Sequence, residues 1–487
     1  MDCGIIGIFS QNDVSLELLR GLKLLQHRGQ SSSGVITVDK GNVFCVKNAG
    51  LVNDLIKEDE VKNYPGSIGL GHTRYSTAGG DTPDELRHNA QPEYVINPFV
   101  AAVHNGNVYN MNEVMKDLSR KPRTECDVQS LLLLIAEELD GKKTNIENIF
   151  KAGEVVMKKI KGSYSAIFVT VGSKPYMFAI TDPYKIRPLI LGKKIKDGNK
   201  TWYLTSETRV IKKLGGEYVM DVPGGSVLII DMESEEPVIK RLCNYSSYNC
   251  MFEWIYFSMP DSEIEKRSVH EIRVEIGRQL AKNFPVDADI IVPIPESGRR
   301  YANGYSKESG IPIEEGLMKD NLMRTFILQT QAKRDEMADE IVSAIESAVR
   351  GKRIVVTDDS LIRGTNIRNI IKKLRNAGAM EIHVRVGCPP IIAPCYLGID
   401  MRSKKEFIAL DKGNNLKDWK EIAKEIGADS LAYGSIEMLN KIITKNKFKF
   451  KICTGCLNFP SGYPPEMRKD VIELVKRDAL GKRSYEN

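Results

Sequence analysis

The sequence predicts two consecutive folds in one chain, an α+β domain followed by an α/β domain with a parallel sheet. The chain of 487 residues exceeds what one compact core usually organises, and 42% of its residues are hydrophobic, enough to fill two cores. Up to about residue 240, many short β-rich runs alternate with few helical patterns. Beyond about residue 252, strands and helices alternate regularly, which is typical of a parallel sheet.

In the first half, six runs of β-branched and aromatic residues predict strands at residues 3–10, 99–103, 164–171, 176–180, 201–204 and 226–231. Two stretches with helical periodicity predict helices at residues 16–26, ended by Gly29, and 128–139, begun by Asp127. Because strands outnumber helices, we expect strands paired on strands.

In the second half, the pattern predicts helices at residues 269–283, 337–349 and 367–377 and strands at 289–293, 353–357 and 381–387. The change of character falls between residues 242 and 252. We therefore predict domains at residues 1–245 and 246–445, followed by a C-terminal tail at 446–487 that is first Lys-rich and then rich in Pro and Gly.

Composition excludes several classes of protein. The formal charge of +6 is a small surplus of basic residues, and these residues are not clustered in a basic stripe, so no nucleic-acid partner is expected. The longest apolar stretches, such as residues 131–136, are too short for a membrane span, and no signal peptide is evident. Nine cysteines are an odd number in a large chain, which argues against a disulfide framework. These features predict a cytoplasmic protein that does not bind membranes.

The most informative residue near the amino terminus is Cys3. It opens a predicted strand and is followed by Gly4, which lets a ligand approach the backbone closely. Taken alone, a small buried cysteine at a strand start is the commoner situation. A thiol that became the first residue would carry its own base, because an α-amino group has a pKa of roughly 7.7 to 8.0.

Three further features in this half suit the hydrolysis of an amide. Arg74 can grip an α-carboxylate, Asn105 and Gly106 in a turn after a strand can hold an oxyanion, and Asp127 can bind an α-amino group. Each feature also has an ordinary explanation. Arg74 could form a surface ion pair, Asn105 and Gly106 could form a hairpin turn, and Asp127 could be a helix N-cap. Their joint occurrence favours the functional interpretation.

These motifs together resemble the glutamine amidotransferase domain of the N-terminal nucleophile class, and more narrowly the amidophosphoribosyltransferase family. The matching stretches are Cys3-Gly4, residues 27–30, 71–77 and 104–107, Asp127, and residues 182–189. The resemblance implies an αββα sandwich. It also implies that Cys3 is the nucleophile, that Asn105 and Gly106 form the oxyanion hole, and that Arg74 and Asp127 bind glutamine.

A second candidate site follows the predicted strand 353–357. Two carboxylates, Asp358 and Asp359, lead into a loop rich in hydroxyl groups that opens a helix. Paired aspartates bind ribose hydroxyls or magnesium, and the loop amides can cradle a phosphate. An acidic N-cap in an ordinary strand-to-helix loop would explain one aspartate but not both.

This stretch resembles the phosphoribosyltransferase signature for phosphoribosyl diphosphate. The resemblance implies a type I phosphoribosyltransferase domain in which Ser297, Asp358 and Asp359 hold Mg²⁺. The residues implied in binding phosphoribosyl diphosphate are Asp358, Asp359, Ser360, Arg363, Gly364, Thr365 and Asn366. Residues 251–257, 292–298 and 324–327 are further matching stretches, so the resemblance covers nearly the whole chain.

Cysteines also suggest a metal centre. Cys453 and Cys456 form a C-x-x-C pair outside any thioredoxin-like unit, which favours metal over redox exchange. By resemblance to the cluster-bearing branch of the family, Cys250 and Cys395 complete the ligands of one 4Fe-4S cluster with a structural role. On ligand type alone, zinc is the alternative. Four other cysteines are interpreted as ordinary thiols: Cys45, Cys126, Cys243 and Cys388.

The chain departs from the family pattern in two places. Met1 and Asp2 precede Cys3, so we expect both residues to be removed. In the second half, residues 320–322 and the acidic stretch 337–341 replace basic positions of the family and make that region four units more negative, with Lys333 and Arg334 as possible compensation. Each lost contact with a polyanionic substrate would cost roughly 1 to 4 kcal/mol.

The resemblance implies a magnesium-dependent, homo-oligomeric enzyme that uses glutamine and phosphoribosyl diphosphate to make 5-phosphoribosylamine, the first step of purine synthesis. Ammonia is expected to pass inside the protein near Tyr75. The acidic stretch supports an alternative, a degenerate paralogue with weakened synthesis that acts as a glutaminase-like or nucleotide-binding regulatory protein.

Overall fold

A computed structural model of the chain describes residues 3–75, 80, 82–234, 236–319, 342–401, 404–444 and 450–478. The first half forms two sheets. Among its described residues, the strands β1–β13 are, in chain order, Gly4–Ser10, Ser32–Asp39, Asn42–Ala49, Ile68–Arg74, Glu93–Val95, Phe99–Val108, Gly162–Val171, Pro175–Thr181, Ile190–Lys196, Asn199–Thr205, Glu217–Asp221, Ser226–Ile230 and Val238–Arg241. One sheet has the order β11-β9-β10-β1-β4-β2-β3 and the other β13-β12-β8-β7-β6-β5.

Helices cover the outer face of each sheet. In the part of this half that the structure describes, the α-helices are α1–α6: Ser15–Leu24, Pro83–His88, Met111–Lys116, Val128–Leu139, Ile146–Lys159 and Thr208–Lys213. Strand β1 shows how the layers form, because its side chains alternate between faces. Ile5 and Phe9 join the core between the two sheets, whereas Ile6 and Ile8 pack in the core under α1 and α6. Helices α4 and α5 pack on the other sheet. The predicted αββα sandwich is confirmed.

The second half is built on a parallel sheet. Its described strands are β14–β17, Ile290–Pro293, Arg353–Asp358, Glu381–Val386 and Ser430–Tyr433, paired in that order. The α-helices longer than one turn within the described ranges of this half are α7–α12: Val269–Asn283, Arg299–Ser309, Thr365–Asn376, Trp419–Ile426, Ile436–Thr444 and Arg468–Asp478. Every side chain from Ile354 to Val356 is buried, as expected for a parallel strand covered on both faces. The predicted α/β fold is confirmed.

One expectation about the second half is corrected. Of the predicted helix 337–349, residues 337–341 lie outside the described residues, Val342–Ala344 form a strand, and only Glu346–Val349 are helical. That strand pairs antiparallel with Leu317–Lys319, a partner that local periodicity does not reveal.

The described part of the predicted tail, residues 450–478, packs on the second half. Lys451–Cys453 pair in parallel with Tyr248–Cys250, and side chains as far as Leu474 belong to the core of the second half. Within the described ranges, no helix combines the length and apolar character needed to span a bilayer.

Candidate active sites

The first candidate site surrounds Cys3, which directly precedes β1 and is half-buried. Its carbonyl oxygen accepts a hydrogen bond from Nε of the buried Arg28 at 3.1 Å. The next residue must be glycine, because a Cβ on Gly4 would lie 2.7 Å from Thr73 Oγ1 and 2.9 Å from Leu25 Cβ. The backbone around the thiol is therefore closely held.

Asn105 and Gly106 lie inside β6 and not in a turn after it, so that expectation was wrong. The strand continues to Val108 because it pairs with β7 over its whole length. Asn105 is fully buried, and neither Oδ1 nor Nδ2 has a hydrogen-bond partner among the described residues. Gly106 has φ of +148°, and a Cβ there would lie 2.0 Å from the carbonyl oxygen of Ser163. A buried amide without a partner is costly unless it serves a ligand.

The two residues expected to bind the ends of glutamine lie close together. Arg74 ends β4 and is buried, and Asp127 precedes α4. Asp127 does not cap that helix with its side chain; instead, Oδ2 accepts a hydrogen bond from the Val108 amide at 2.9 Å, and Oδ1 lies 3.4 Å from His104 Nδ1. Burial alone would raise the pKa of Asp127, but His104, the Val108 amide and Arg74 together hold that pKa below its ordinary value. The carboxylate is therefore kept charged.

The second candidate site lies where the strand Arg353–Asp358 ends. Ser297 Oγ donates to Asp358 Oδ1 at 2.7 Å, the Asp359 amide donates to the same oxygen at 2.9 Å, and Ser360 Oγ donates to Asp359 Oδ2 at 2.6 Å. Burial raises the pKa of both carboxyls, and for Asp358 the neighbouring charge of Asp359 raises it further. Asp359 is buried and Asp358 half-buried, and two such carboxyls that repel each other are suited to a cation.

The loop that follows leads into a helix, and its arginine pairs with an acidic residue. Gly364 has φ of +75°, a left-handed conformation that favours glycine, and a Cβ there would lie 2.2 Å from Ile408 Cδ1. Thr365 and Asn366 are exposed at the start of the helix Thr365–Asn376. Arg363 points away to Glu406, with its NH2 2.5 Å from Oε2.

Four cysteines from three separate segments converge in the core of the second half. Cys250 and Cys453 are direct neighbours in paired parallel strands. Burial first, and then the neighbouring Cys453 and Cys395 thiols, raise the pKa of Cys250 above its ordinary value. Burial also raises the pKa of Cys456, and four neighbouring thiols raise that pKa further: Cys395, Cys388, Cys250 and Cys453. Among the described residues, no three His, Cys, Asp or Glu side chains lie close enough to share a single metal ion.

A buried charge network joins the two halves, and the sequence analysis did not identify it. Arg28 donates through NH1 to Glu207 Oε1 at 2.8 Å and through NH2 to Glu253 Oε1 at 2.6 Å. All three side chains are at most 1% exposed. His27 Nε2 lies 2.7 Å from Glu207 Oε1. No local pattern could reveal pairs about two hundred positions apart, although residues 27–30 and 251–257 belong to the matching stretches.

Tyr256 interacts electrostatically with residues at or next to both candidate sites. Desolvation raises the pKa of Tyr256 first, followed by Asp359 and Asp358 and then by Tyr75, although 41% of the residue is exposed. Tyr256 therefore neighbours both the carboxylate pair of one site and the residue that follows Arg74 in the other. Residues 76–79 and 320–341, which include the acidic stretch, Lys333 and Arg334, lie outside the described residues.

The fold and the two sites define a class: a glutamine amidotransferase of the N-terminal nucleophile type joined to a phosphoribosyltransferase-type sheet. A family model described as a glutamine amidotransferase domain matches residues 72–213. An amidophosphoribosyltransferase of Methanocaldococcus jannaschii is 38% identical and covers 96% of this chain and 99% of its own length. The chain belongs to the amidophosphoribosyltransferase family.

Other relatives agree in sequence and in structure. The amidophosphoribosyltransferase of Methanothermobacter thermautotrophicus is 37% identical over 97% of this chain and 96% of its own length. The solved glutamine phosphoribosylpyrophosphate amidotransferase from B. subtilis, in complex with ADP and GMP, superposes with a TM-score of 0.82 at 33% identity, covering 95% of this chain and 97% of that one. The resemblance inferred from the motifs is confirmed.

Proposed function

We propose that this chain is a glutamine-dependent amidophosphoribosyltransferase, which makes 5-phosphoribosylamine from glutamine and phosphoribosyl diphosphate in the first step of purine synthesis. The observation that carries the proposal is the pairing of two sites. One offers the buried Asn105 amide, which has no hydrogen-bond partner among the described residues, and the other offers the carboxyls of Asp358 and Asp359 with Ser297. Tyr256 interacts electrostatically with both carboxyls and with Tyr75, which follows Arg74 of the first site.

Glutamine hydrolysis begins once Met1 and Asp2 are removed and the Cys3 amine becomes the base for its own thiol. The thiolate attacks the side-chain amide carbon, and the developing oxyanion is stabilised by Asn105 Nδ2 and the Gly106 amide. The C–N bond then breaks, the departing nitrogen takes a proton and leaves as ammonia, and water hydrolyses the thioester to glutamate. Arg74 and Asp127 would hold the α-carboxylate and the α-ammonium group of glutamine.

Synthesis takes place in the second half. Ammonia passes along Tyr75 and Tyr256 to C1 of phosphoribosyl diphosphate, forms the C–N bond and displaces diphosphate. The loop from Ser360 to Asn366 would hold the 5-phosphate through its amides and hydroxyl groups. Arg363 can join only by leaving Glu406, a surface pair that costs little to break, about 0 to 1 kcal/mol.

Magnesium fits the carboxyl pair. Asp358, Asp359 and Ser297 would hold it, because a divalent cation stabilises the charged form of two carboxyls whose pKa is raised by burial and, at Asp358, also by the neighbouring Asp359. When bound, the ion neutralises the diphosphate that leaves.

A 4Fe-4S cluster fits the four thiols. Cys250, Cys395, Cys453 and Cys456 are buried together, and a cluster spreads its thiolates around several irons, whereas a zinc ion gathers them on one centre. Its role would be structural, since it ties the segment after residue 450 to the second half.

The remaining features are proposed from the family resemblance. We propose a homo-oligomer, which light scattering on the purified protein tests directly. A cytoplasmic enzyme is favoured because nine cysteines, four of them cluster ligands in this proposal, suit a reducing compartment.

The test is an assay of diphosphate release and phosphoribosylamine formation with phosphoribosyl diphosphate and Mg²⁺, using either glutamine or ammonia as the nitrogen donor. The wild-type protein is expected to use both donors. Cys3→Ala should lose only the glutamine reaction, whereas the matched variant Cys45→Ala should keep both. If the wild-type protein used neither donor, the proposal would fail in favour of the degenerate paralogue.

A further inference from the structure

Strand β6, which carries the proposed oxyanion donors Asn105 and Gly106, is contacted by a segment from the other half of the chain. Residues 395–398 extend from the second half and lie beside the end of β6. The Tyr396 carbonyl accepts a hydrogen bond from Asn107 Nδ2 at 2.9 Å, two residues beyond Asn105. The Leu397 carbonyl accepts one from Ser163 Oγ at 2.9 Å.

The contact continues onto the backbone of Gly106 itself. Gly398 has φ of +102°, and a Cβ there would lie 2.9 Å from the Gly106 carbonyl oxygen and 3.0 Å from its carbonyl carbon. The same Cβ would lie 2.9 Å from Arg187 NH2, which donates to the Leu397 carbonyl at 2.5 Å. The two glycines therefore touch through their backbones, and neither position has room for a side chain.

The segment is itself held in place by burial and by hydrogen bonds. Tyr396 and Leu397 are each 1% exposed. The Tyr396 amide donates to the Tyr463 hydroxyl at 3.4 Å, and that hydroxyl donates to the Pro394 carbonyl at 3.2 Å. On the other side, Asn107 and Gly106 pair with Ser163 and Tyr164 of β7. The last residues of β6 are thus held between β7 and segment 395–398.

We propose that segment 395–398 positions the oxyanion hole, with Asn107 as the positioning residue that fastens β6 to it. This inference rests on the proposed function. An oxyanion donor must stand within a few tenths of an ångström of its place, because an error of about 1 Å can reduce the rate 100-fold. Glutamine hydrolysis therefore depends on a contact from the half of the chain that performs the synthesis.

Two variants test the inference. Asn107→Ala removes the bond to the Tyr396 carbonyl, and Gly398→Ala drives a methyl group against Gly106. The matched control is Gly41→Ala, because Gly41 has a similar φ of +88° and no atom within 4 Å of the Cβ position. The measurements are kcat and KM for glutamine, the rate of Cys3 alkylation by iodoacetamide, and synthesis with ammonia.

Both test variants should lower kcat for glutamine by about 10- to 100-fold at unchanged KM, because an oxyanion donor acts only in the transition state. Alkylation of Cys3 and ammonia-dependent synthesis should stay at the level of Gly41→Ala. The inference is overturned if Asn107→Ala keeps the wild-type kcat, or if both nitrogen donors fail together in either variant. A wild-type protein without glutaminase activity would instead refute the proposed function.

Discussion

Removing the arginine at the centre of the buried charge network should destabilise the protein strongly. In Arg28→Met, the carboxylates of Glu207 and Glu253 lose donors at 2.8 and 2.6 Å while remaining at most 1% exposed. Breaking a buried pair by removing one partner costs about 3 to 5 kcal/mol. Glu207 keeps the Met259 amide and the Ser262 hydroxyl as donors, at 3.0 and 2.8 Å, which places the cost near the lower end of that range.

The assay is urea-induced unfolding followed by circular dichroism. The matched control is Arg20→Met, because the pair of Arg20 with Glu58 at 3.2 Å is 56% and 45% exposed and should be worth about 0 to 1 kcal/mol. Arg28→Lys restores the charge without the fork that reaches two carboxylates, so it should recover only part of the loss. If Arg28→Met and Arg20→Met had the same free energy of unfolding, the network would not be stabilising as argued.

Four further predictions follow from the sites. Asn105→Ala should lower kcat for glutamine by about 10²- to 10³-fold without affecting ammonia-dependent synthesis. The pKa of Glu207 lies below its ordinary value of 4.5, so the contribution of this carboxylate to stability is present above that pH and is lost as pH falls. The free energy of unfolding of Glu207→Gln should therefore decline less steeply on acidification than that of the wild-type protein. Asp358→Asn should raise the free energy of unfolding at neutral pH, because burial and the neighbouring Asp359 disfavour the Asp358 carboxylate, and it should abolish Mg²⁺-dependent binding of phosphoribosyl diphosphate, measured by calorimetry. Cys453→Ser should lose bound iron in elemental analysis, whereas Cys45→Ser should retain it.

The sequence predicted best what local pattern determines. The strand that begins at Gly4 and the strand that leads into Asp358 and Asp359 are both short apolar runs followed by distinctive residues. Both were placed within one or two residues of their observed bounds. The end of β6 was missed because the pairing of residues 104–108 with β7 extends the strand past the point where its apolar run ends.

Long-range contacts could not be predicted from the sequence. The bond from Arg28 to Glu253 spans 225 positions, and that from Asn107 to the Tyr396 carbonyl spans 289. Neither hydrogen bond produces a periodic pattern in the sequence. The motifs indicated the residues that we propose to react, whereas the contacts that hold those residues in place became visible only in the fold.

The measurement that tests the account most directly is the intact mass of the active protein, read alongside its glutamine consumption. The chemistry requires the Cys3 thiol to carry a free α-amine, so the mass of the fully active fraction should equal that of a chain starting at Cys3. Full glutamine-dependent synthesis by a chain that still carried Met1 and Asp2 would contradict the mechanism.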